Sequence, residues 1–182
     1  FYGAVAYAYE NRLMSGTAAG VFDPEGAMTR GMMVTLLHRL AGSPEPPGDS
    51  PQFTDLTEDW YLDAVRWAAG EGIVLGTGQG TFEPEAPITR EQMAVMLHRY
   101  AEGIGAAEPA PEETLAGFAD AGEVSGYGVR AMAWAVDAGL INGREGRTLC
   151  PQSGATRAET AALLLRFAGE MGAGTHLKSE EL

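Results

Sequence analysis

Three Thr-Arg pairs stand where the sequence predicts the start of a helix. A cation in the first turn opposes the helix dipole by about 0.3 to 1 kcal/mol, so each arginine needs an anionic partner. A guanidinium and the amides of a helix start can together bind a carboxylate, because both present N–H donors to it. The pairs are therefore candidate binding sites for a small anion. Their residues are Thr29, Arg30, Thr89, Arg90, Thr156 and Arg157.

The threonines also have a structural explanation. A threonine before a helix accepts a hydrogen bond from the amide three residues on, worth about 1 kcal/mol, and Glu or Gln at that third position returns the bond. Gln92 and Glu159 complete such a capping box, whereas Met32 cannot. Capping explains the threonines and leaves the arginines unexplained.

Two kinds of partner fit the arginines. One is internal, because 25 acidic residues against 12 basic ones can supply a carboxylate from a neighbouring part of the fold. The other is a ligand carboxylate, held by the guanidinium, free helix-start amides and the glycine loop before the helix. From the residues alone both partners stay open.

The arginines belong to three copies of one sequence unit. Superposing Phe22 on Phe82 brings Arg30 onto Arg90 without a gap, and a second superposition brings Arg90 onto Arg157. Each copy alternates an amphipathic helical pattern with a Gly- and Pro-rich loop and a second helical pattern. Repeats of this kind bury their apolar faces against neighbouring copies, so we predict one interlocked body with six helices.

The boundaries of the copies follow from the same alignment. In the second copy we expect helix one from about Trp60 to Glu71, helix two from Arg90 to about Tyr100, and a short strand pair around Thr81 to Glu83. Copy one has no counterpart of the leading Phe-x-Asp at 53–55, which we interpret as a truncation. The copies span 1–42, 53–102 and 118–170, with connectors at 43–52 and 103–117 and a polar tail at 171–182.

Composition excludes several functions. The formal net charge of −13 repels nucleic acid and anionic membrane surfaces. No apolar run is long enough to cross a membrane. Cys150 is the only cysteine, and the sequence has no hydrolase, phosphate-loop or metal-protease motif. We therefore expect no catalytic residues, no metal site and no cofactor.

The order of these motifs resembles the S-layer homology domain, a bacterial cell-wall anchoring module that usually comes in threes. Copy two carries the pattern nearly throughout, from the leading F-x-D through W-A, G-I-x-x-G and G-x-F-x-P to I-T-R. The resemblance covers about residues 1 to 170. It implies a mainly α fold in which three tandem helix-loop-helix repeats form one pseudo-threefold spindle-shaped bundle with grooves between adjacent copies.

The resemblance also implies a ligand and a site. The ligand is an acidic, pyruvylated secondary cell-wall polysaccharide, and the module is covalently part of a larger extracellular protein at the bacterial cell surface. The carboxylate would meet Arg30, Arg90 and Arg157 beside the threonines that precede them. Loop glycines at equivalent places, Gly16, Gly76 and Gly143, would let sugar approach the backbone.

Departures from the pattern mark two of the copies. Copy one reads T-R-G-M in place of T-R-A-E and lacks the leading segment, so its groove is the least regular. Copy three adds Arg144 and Arg147 to its loop, which predicts different or tighter binding there. Two rival functions remain: a degenerate repeat serving as a structural spacer or protein-interaction module, and a segment that contributes to the active site of a hydrolase.

Overall fold

Six α-helices, two from each repeat, are the main regular secondary structure of the part of the chain that the structure describes. The computed structural model describes residues 1–18 and 20–170, and the predicted polar tail at 171–182 lies outside them. Two short 3-10 helices, Glu112–Gly117 and Ala121–Glu123, precede the fifth α-helix. The α-helices are α1 (Tyr2–Glu10), α2 (Arg30–Leu40), α3 (Asp59–Gly70), α4 (Arg90–Gly103), α5 (Val129–Asp137) and α6 (Arg157–Glu170).

The helix boundaries in repeat 2 match the sequence signals. Helix α3 ends at Gly70, and Gly72 just beyond it takes the left-handed conformation at φ 71° that glycine tolerates without strain. At the start of α4, Thr89 accepts from the amide of Gln92, whose side chain accepts from the Thr89 amide. The predicted helices of this copy are confirmed to within a few residues.

The other two helix starts also follow the sequence. Thr156 and Glu159 exchange the same pair of hydrogen bonds. Thr29 accepts from the amide of Met32 and receives nothing back, because a methionine side chain has no strong acceptor. All three caps are therefore formed as predicted.

The first helix of each repeat packs on the second helix of another repeat. Helix α3 packs on α2, α5 packs on α4, and α1 closes the ring on α6. One continuous core joins the three repeats and includes Met33, Tyr61, Leu97, Trp134 and Leu164. The mainly α, three-repeat bundle predicted from the sequence is confirmed, and its closure makes each repeat depend on two others.

A ring of backbone hydrogen bonds marks the centre of the pseudo-threefold arrangement. The amide of Met28 donates to Ala155, the amide of Ala155 donates to Ile88, and the amide of Ile88 donates to Met28. The three segments just before α2, α4 and α6 therefore meet at one axis. This ring fixes the three helix starts relative to one another.

Two loop details differ from expectation. The predicted strand pair around Thr81 to Glu83 is instead a tight turn, closed by a single bridge between Gly78 and Thr81. The connector 103–117 ends in a 3-10 helix that buries Leu115 against α5.

Within the described residues, no helix combines the length and apolarity needed to cross a membrane.

Candidate ligand-binding grooves

The three helix-start arginines are buried and reach into the next repeat. Arg30, Arg90 and Arg157 are 6%, 6% and 5% exposed. Each Nε donates to a loop carbonyl of another repeat at 2.8 to 2.9 Å: Arg30 to Phe82, Arg90 to Leu149 and Arg157 to Phe22. Every guanidinium thus links two repeats, and the carbonyl oxygen supplies part of the negative charge that a cation at a helix start needs beside it.

Aromatic rings add to two of these links. The Arg30 guanidinium carbon lies 4.7 Å from the centroid of the Phe82 ring, and Arg157 stands at the same distance from Phe22. A guanidinium over an aromatic face is attracted by the ring quadrupole. Burial lowers the pKa of all three arginines by desolvation, although a guanidinium stays charged in proteins.

The amides at the helix starts are not free, contrary to the anion-pocket hypothesis. The amide of Arg30 donates to Ala86, and the amide of Gly31 donates to Pro84. The other two helices repeat this arrangement. The amides of Arg90 and Glu91 donate to the carbonyls of Ser153 and Pro151, and the amides of Arg157 and Ala158 donate to those of Gly26 and Pro24. Loop carbonyls of the next repeat therefore occupy the donors that a ligand anion would have used.

Three surface grooves nevertheless open beside the arginines. Each is formed by the glycine loop of one repeat and the arginine of the repeat before it in the ring, and we number it by the repeat that gives the loop. Their volumes are about 480, 440 and 110 Å³. Groove I holds Gly16, Arg157, Arg39 and Trp60; groove II holds Gly76, Arg30, Arg99, Gln92 and Tyr127; groove III holds Gly143, Arg90, Arg166, Arg144 and Glu159.

Each groove joins an arginine to the glycine loop of another repeat and not to the loop before its own helix. Arg30 of copy one faces the complete loop of repeat 2, so its groove is not the irregular one. In groove I, Arg157 of repeat 3 meets the Gly16 loop of repeat 1. The arginine-rich loop of copy three lies in groove III with Arg90.

The three loop glycines line the grooves for a reason that does not involve a ligand. A Cβ on Gly76 would lie 2.6 Å from the Thr81 carbonyl oxygen, and one on Gly16 would lie 2.6 Å from that of Val21. At Gly143 the clash would be with the Phe118 ring at 2.7 Å. Internal packing of the loop therefore requires glycine at these positions.

The three capping threonines lie beside the central hydrogen-bond ring. Thr29 and Thr89 form bridges to Pro87 and Gly154 in neighbouring repeats. Their hydroxyls accept the capping bonds described above, and they are not among the residues that line the grooves. A ligand-binding role for them, as for Thr156, stays a prediction.

Groove II leaves its buried arginine with unused donors. Within residues 1–18 and 20–170, Arg30 makes one side-chain hydrogen bond, from Nε, so both Nη groups lack a protein acceptor. Helix α4 also lines this groove. Its third residue is the neutral Gln92, and its Arg99 adds a second cation. A carboxylate entering this groove would meet two arginines and no competing carboxylate side chain among the residues that line it.

A buried carboxylate fixes one wall of groove II. Glu91 is 1% exposed and accepts from the Tyr127 hydroxyl at 2.6 Å and from the Ser125 hydroxyl at 2.8 Å. Burial alone would raise the pKa of Glu91, but these bonds and the Ser125 amide outweigh it and lower that pKa. Burial and Glu91 together raise the pKa of Tyr127 to about 12, so its hydroxyl stays a donor.

Groove III neutralises its own arginine. Glu159 Oε1 lies 3.2 Å from Arg90 Nη1 and 2.7 Å from Arg144 Nη2. Burial alone would raise the pKa of Glu159, but the Thr156 amide and the two arginines lower it. The carboxylate is therefore ionised at neutral pH and takes one of the two Nη groups of Arg90 that an acidic ligand could use.

Groove I is intermediate between the other two. Arg157 uses Nη2 for a 2.6 Å hydrogen bond to the Ser15 carbonyl as well as Nε for Phe22. The third residue of helix α2, which lines this groove, is Met32, where groove III has Glu159. Arg157 therefore has fewer free donors than Arg30, and within residues 1–18 and 20–170 it forms no ion pair of the kind that Arg90 forms.

Sequence reasoning missed a second arginine in each groove. Arg39, Arg99 and Arg166 each donate from Nη1, at 2.8 to 3.2 Å, to the carbonyl of a residue that follows the first helix of the same repeat: Leu13, Ile73 and Leu140. Their recurrence in all three copies was the signal that could have identified them. Trp60 and Tyr127, which are exposed at grooves I and II, were also missed, whereas Trp67 and Trp134 are buried in the core.

Comparison with known proteins follows the same three units. The sequence model of the S-layer homology domain matches residues 1–32, 52–94 and 117–161, which together are more than half of the chain. A cellulosome-anchoring protein of Acetivibrio thermocellus is 27% identical over 158 residues, which are 84% of this chain and 34% of that protein.

Further relatives include an enzyme and an S-layer protein. An endoglucanase of Bacillus sp. (strain KSM-635) is 31% identical over 156 residues, 86% of this chain and 16% of that protein. The S-layer protein sap of Bacillus anthracis is 30% identical over 94 residues, 52% of this chain and 11% of that protein. The chain thus spans about a third or less of these relatives. With one matching segment in each repeat, it belongs to the S-layer homology domain family and is a tandem-repeat anchoring module of the bacterial cell surface.

Proposed function

We propose that this module holds a larger surface protein to the bacterial cell wall by binding an acidic secondary cell-wall polysaccharide, without catalysis. The recognised group is the carboxylate of a pyruvylated sugar. It binds in a groove between two repeats and pairs with the helix-start arginine. The observation that carries the proposal is the pair of unused Nη groups on Arg30 in groove II.

The electrostatics of groove II support an anionic ligand. Burial of Arg30 removes much of its hydration, so an incoming carboxylate regains interactions that the cation has lost. Two parallel N–H donors of a guanidinium match the two oxygens of a carboxylate. Arg99 lines the same groove and adds attraction.

The shape of groove II also fits part of a sugar chain. Its volume of about 440 Å³ lies within the range of about 300 to 1,000 Å³ typical of ligand pockets. Leu75 and Tyr127 are 73% and 57% exposed at its edge and offer apolar faces for a sugar ring. Groove I provides a second, weaker site, and two sites on one polymer lengthen the bound state by avidity.

Polysaccharide chemistry provides the first test. Purified wall polysaccharide with its pyruvate groups intact should retain the protein, and the same polymer after mild acid removal of pyruvate should not. A neutral wall glycan of similar length controls for non-specific retention. Equal retention by both forms of the polymer contradicts recognition of the carboxylate.

Matched variants then locate the site. Arg30→Gln removes the cation from groove II, and we expect an oligosaccharide with one pyruvylated sugar to bind about 10- to 100-fold more weakly, the loss of one charged hydrogen-bonding partner. Arg90→Gln makes the same change in groove III and should alter affinity little. Circular dichroism of both variants confirms that the fold is kept.

Groove III supports a second candidate function. Its arginine is satisfied by Glu159, as expected of a repeat that serves as a spacer or a protein-interaction module. If neither arginine variant changes glycan retention, that structural function replaces the anchoring mechanism. Incubation with the polysaccharide should release no cleaved products, which separates both candidates from a hydrolase.

A further inference from the structure

Groove II takes its aromatic edge from the neighbouring repeat. Tyr127 lies just before helix α5 of repeat 3 and lines the groove together with Arg30 and the glycine loop of repeat 2. Trp60 holds the equivalent place in groove I, just inside helix α3. Both side chains are exposed to a ligand. An aromatic residue therefore stands at the same point of both grooves, and the difference between them lies in how it is held.

In groove II the support is the carboxylate of Glu91. Its Oε1 accepts from the Tyr127 hydroxyl at 2.6 Å, the short distance expected of a hydroxyl that donates to a carboxylate. Glu91 itself is buried on helix α4 and is not among the residues that line the groove. A ligand in groove II would therefore touch Tyr127 and not Glu91.

In groove I the aromatic residue is supported by a ring. Trp60 packs edge-on against the buried Tyr61, with ring centroids 4.8 Å apart and an interplanar angle of 72°. Helix α2 faces this ring with Gly31, where a Cβ would lie 3.3 Å from the ring edge. The Tyr61 hydroxyl also accepts from the amide of Glu58 at 3.2 Å, just before helix α3. A tyrosine and a glycine thus make this contact between repeats 1 and 2.

At the contact between repeats 2 and 3 the glycine is on the other side. Gly128 aligns with Tyr61, and Glu91 stands on helix α4 in the place of the glycine. A Cβ on Gly128 would lie 3.4 Å from Glu91 Oε2. That oxygen accepts from the Ser125 amide at 3.0 Å, which repeats the bond made by the Tyr61 hydroxyl. Glu91 therefore fills the space and caps the backbone as Tyr61 does, and its bond to Tyr127 is an addition that neither task requires.

We propose that Glu91 is a positioning residue of groove II, which holds Tyr127 against a sugar ring of the bound polysaccharide. The inference rests on the proposed function. Holding a side chain in its bound position before the ligand arrives saves ordering entropy, which corresponds to roughly a two- to tenfold gain in affinity. The fixed ring offers an apolar face to the sugar. Because the hydroxyl gives its one proton to Glu91, its oxygen meets a sugar hydroxyl only as an acceptor.

Two substitutions release Tyr127 from its support. Tyr127→Phe keeps the ring and deletes the bond, and Glu91→Ala introduces the residue that repeat 3 has at this position, Ala158. An oligosaccharide with one pyruvylated sugar is titrated and followed at the guanidinium resonances of Arg30, so that the affinity belongs to groove II. Each variant should bind about three- to tenfold more weakly than the unchanged protein. The double variant should bind no more weakly than the weaker single one, because both changes break the same link.

Ser125→Ala is the matched control. It deletes a 2.8 Å hydrogen bond to the same carboxylate oxygen, so it disturbs Glu91 about as much as Tyr127→Phe does. Ser125 is not among the residues that line groove II, and the bond from Tyr127 to Glu91 is left in place. This variant should keep the affinity of the unchanged protein. Circular dichroism checks the fold of each variant, and if Glu91→Ala does not fold, the comparison of Tyr127→Phe with Ser125→Ala decides alone.

Three results would overturn the positioning role. One is equal affinity in all variants, and another is a loss in Ser125→Ala as large as that in Tyr127→Phe, which indicates a purely structural cluster. The third is a double variant whose losses add. In all three the unchanged protein still binds the oligosaccharide, and the proposed function stands. Absence of binding by the unchanged protein contradicts the proposed function itself, and the sugar contact of Tyr127 falls with it.

Discussion

Grooves II and III have the same scaffold but differ in whether the helix-start arginine is ion-paired. In both, an arginine at the first position of a helix reaches across to a loop carbonyl of the next repeat. In groove II helix α4 presents Gln92, and neither Nη group of Arg30 has an acceptor among the described residues. In groove III the same helix position holds Glu159, which pairs with Arg90 and Arg144.

The difference shows that the motif arginine has two separable roles. Its Nε always ties two repeats together through a backbone carbonyl. Its Nη groups are available to a ligand only where the other helix that lines the groove has an uncharged residue at its third position. A repeat can therefore keep the arginine for stability after its groove has lost the capacity to bind an acid.

The largest expected effect separates the two arginines by stability. Arg90→Met removes a buried partner of Glu159 and should lower the free energy of unfolding by about 2 kcal/mol, less than a fully buried pair because Arg144 remains. Arg30→Met, the matched control, removes no ion pair and should cost about 1 kcal/mol. Denaturant unfolding measures both, and equal losses contradict the comparison.

Changing the third helix residue should convert groove II into a copy of groove III. Gln92→Glu places a carboxylate beside Arg30, so binding of a pyruvylated oligosaccharide should weaken about tenfold, the scale of one charged pair at a partly buried site. The control Gln92→Met introduces the uncharged residue found at position 32 and should bind nearly as the original. Calorimetric titration compares the three proteins.

A smaller effect concerns the wall of groove II. Tyr127→Phe deletes the 2.6 Å hydrogen bond to buried Glu91 and should lower the free energy of unfolding by about 1 kcal/mol. Tyr9→Phe, at an exposed tyrosine of helix α1, is the control. If both variants unfold at the same denaturant concentration, the Glu91 contact adds no stability.

The smallest effect is a difference in acid stability. The pKa of Glu159 is lowered in the fold, so its contribution is complete above its unfolded pKa of about 4.3 and is lost as pH falls through the folded value. Glu159→Gln keeps the capping group and should flatten this part of the curve by up to about 1 kcal/mol. Unfolding from pH 6 to pH 3 tests this, and parallel curves contradict it.

Much of the local structure could be predicted from the sequence. The capping boxes, the helix starts and the glycine after α3 are local signals, set by residues within a few positions of each other. The alignment of the copies also identified the loops that line the grooves. Such features depend on short-range geometry that a single copy contains.

The partners of the arginines could not be predicted, because a repeat period does not say which copy's surface meets which. Arg30 binds a carbonyl 52 positions away, and Arg157 one 135 positions away. The occupied helix-start amides depend on the same closure of the ring. For this reason the sequence left both an internal and an external anionic partner open. Among the described residues, an ion pair to a carboxylate forms at Arg90 and not at Arg30 or Arg157.

Side-chain NMR of the arginines during a titration tests the central claim most directly. With a pyruvylated oligosaccharide, the guanidinium resonances of Arg30 should move saturably, those of Arg157 less, and those of Arg90 not at all. The same glycan without pyruvate should move none of them. The account is contradicted if Arg90 responds while Arg30 does not, or if both glycans shift Arg30 equally.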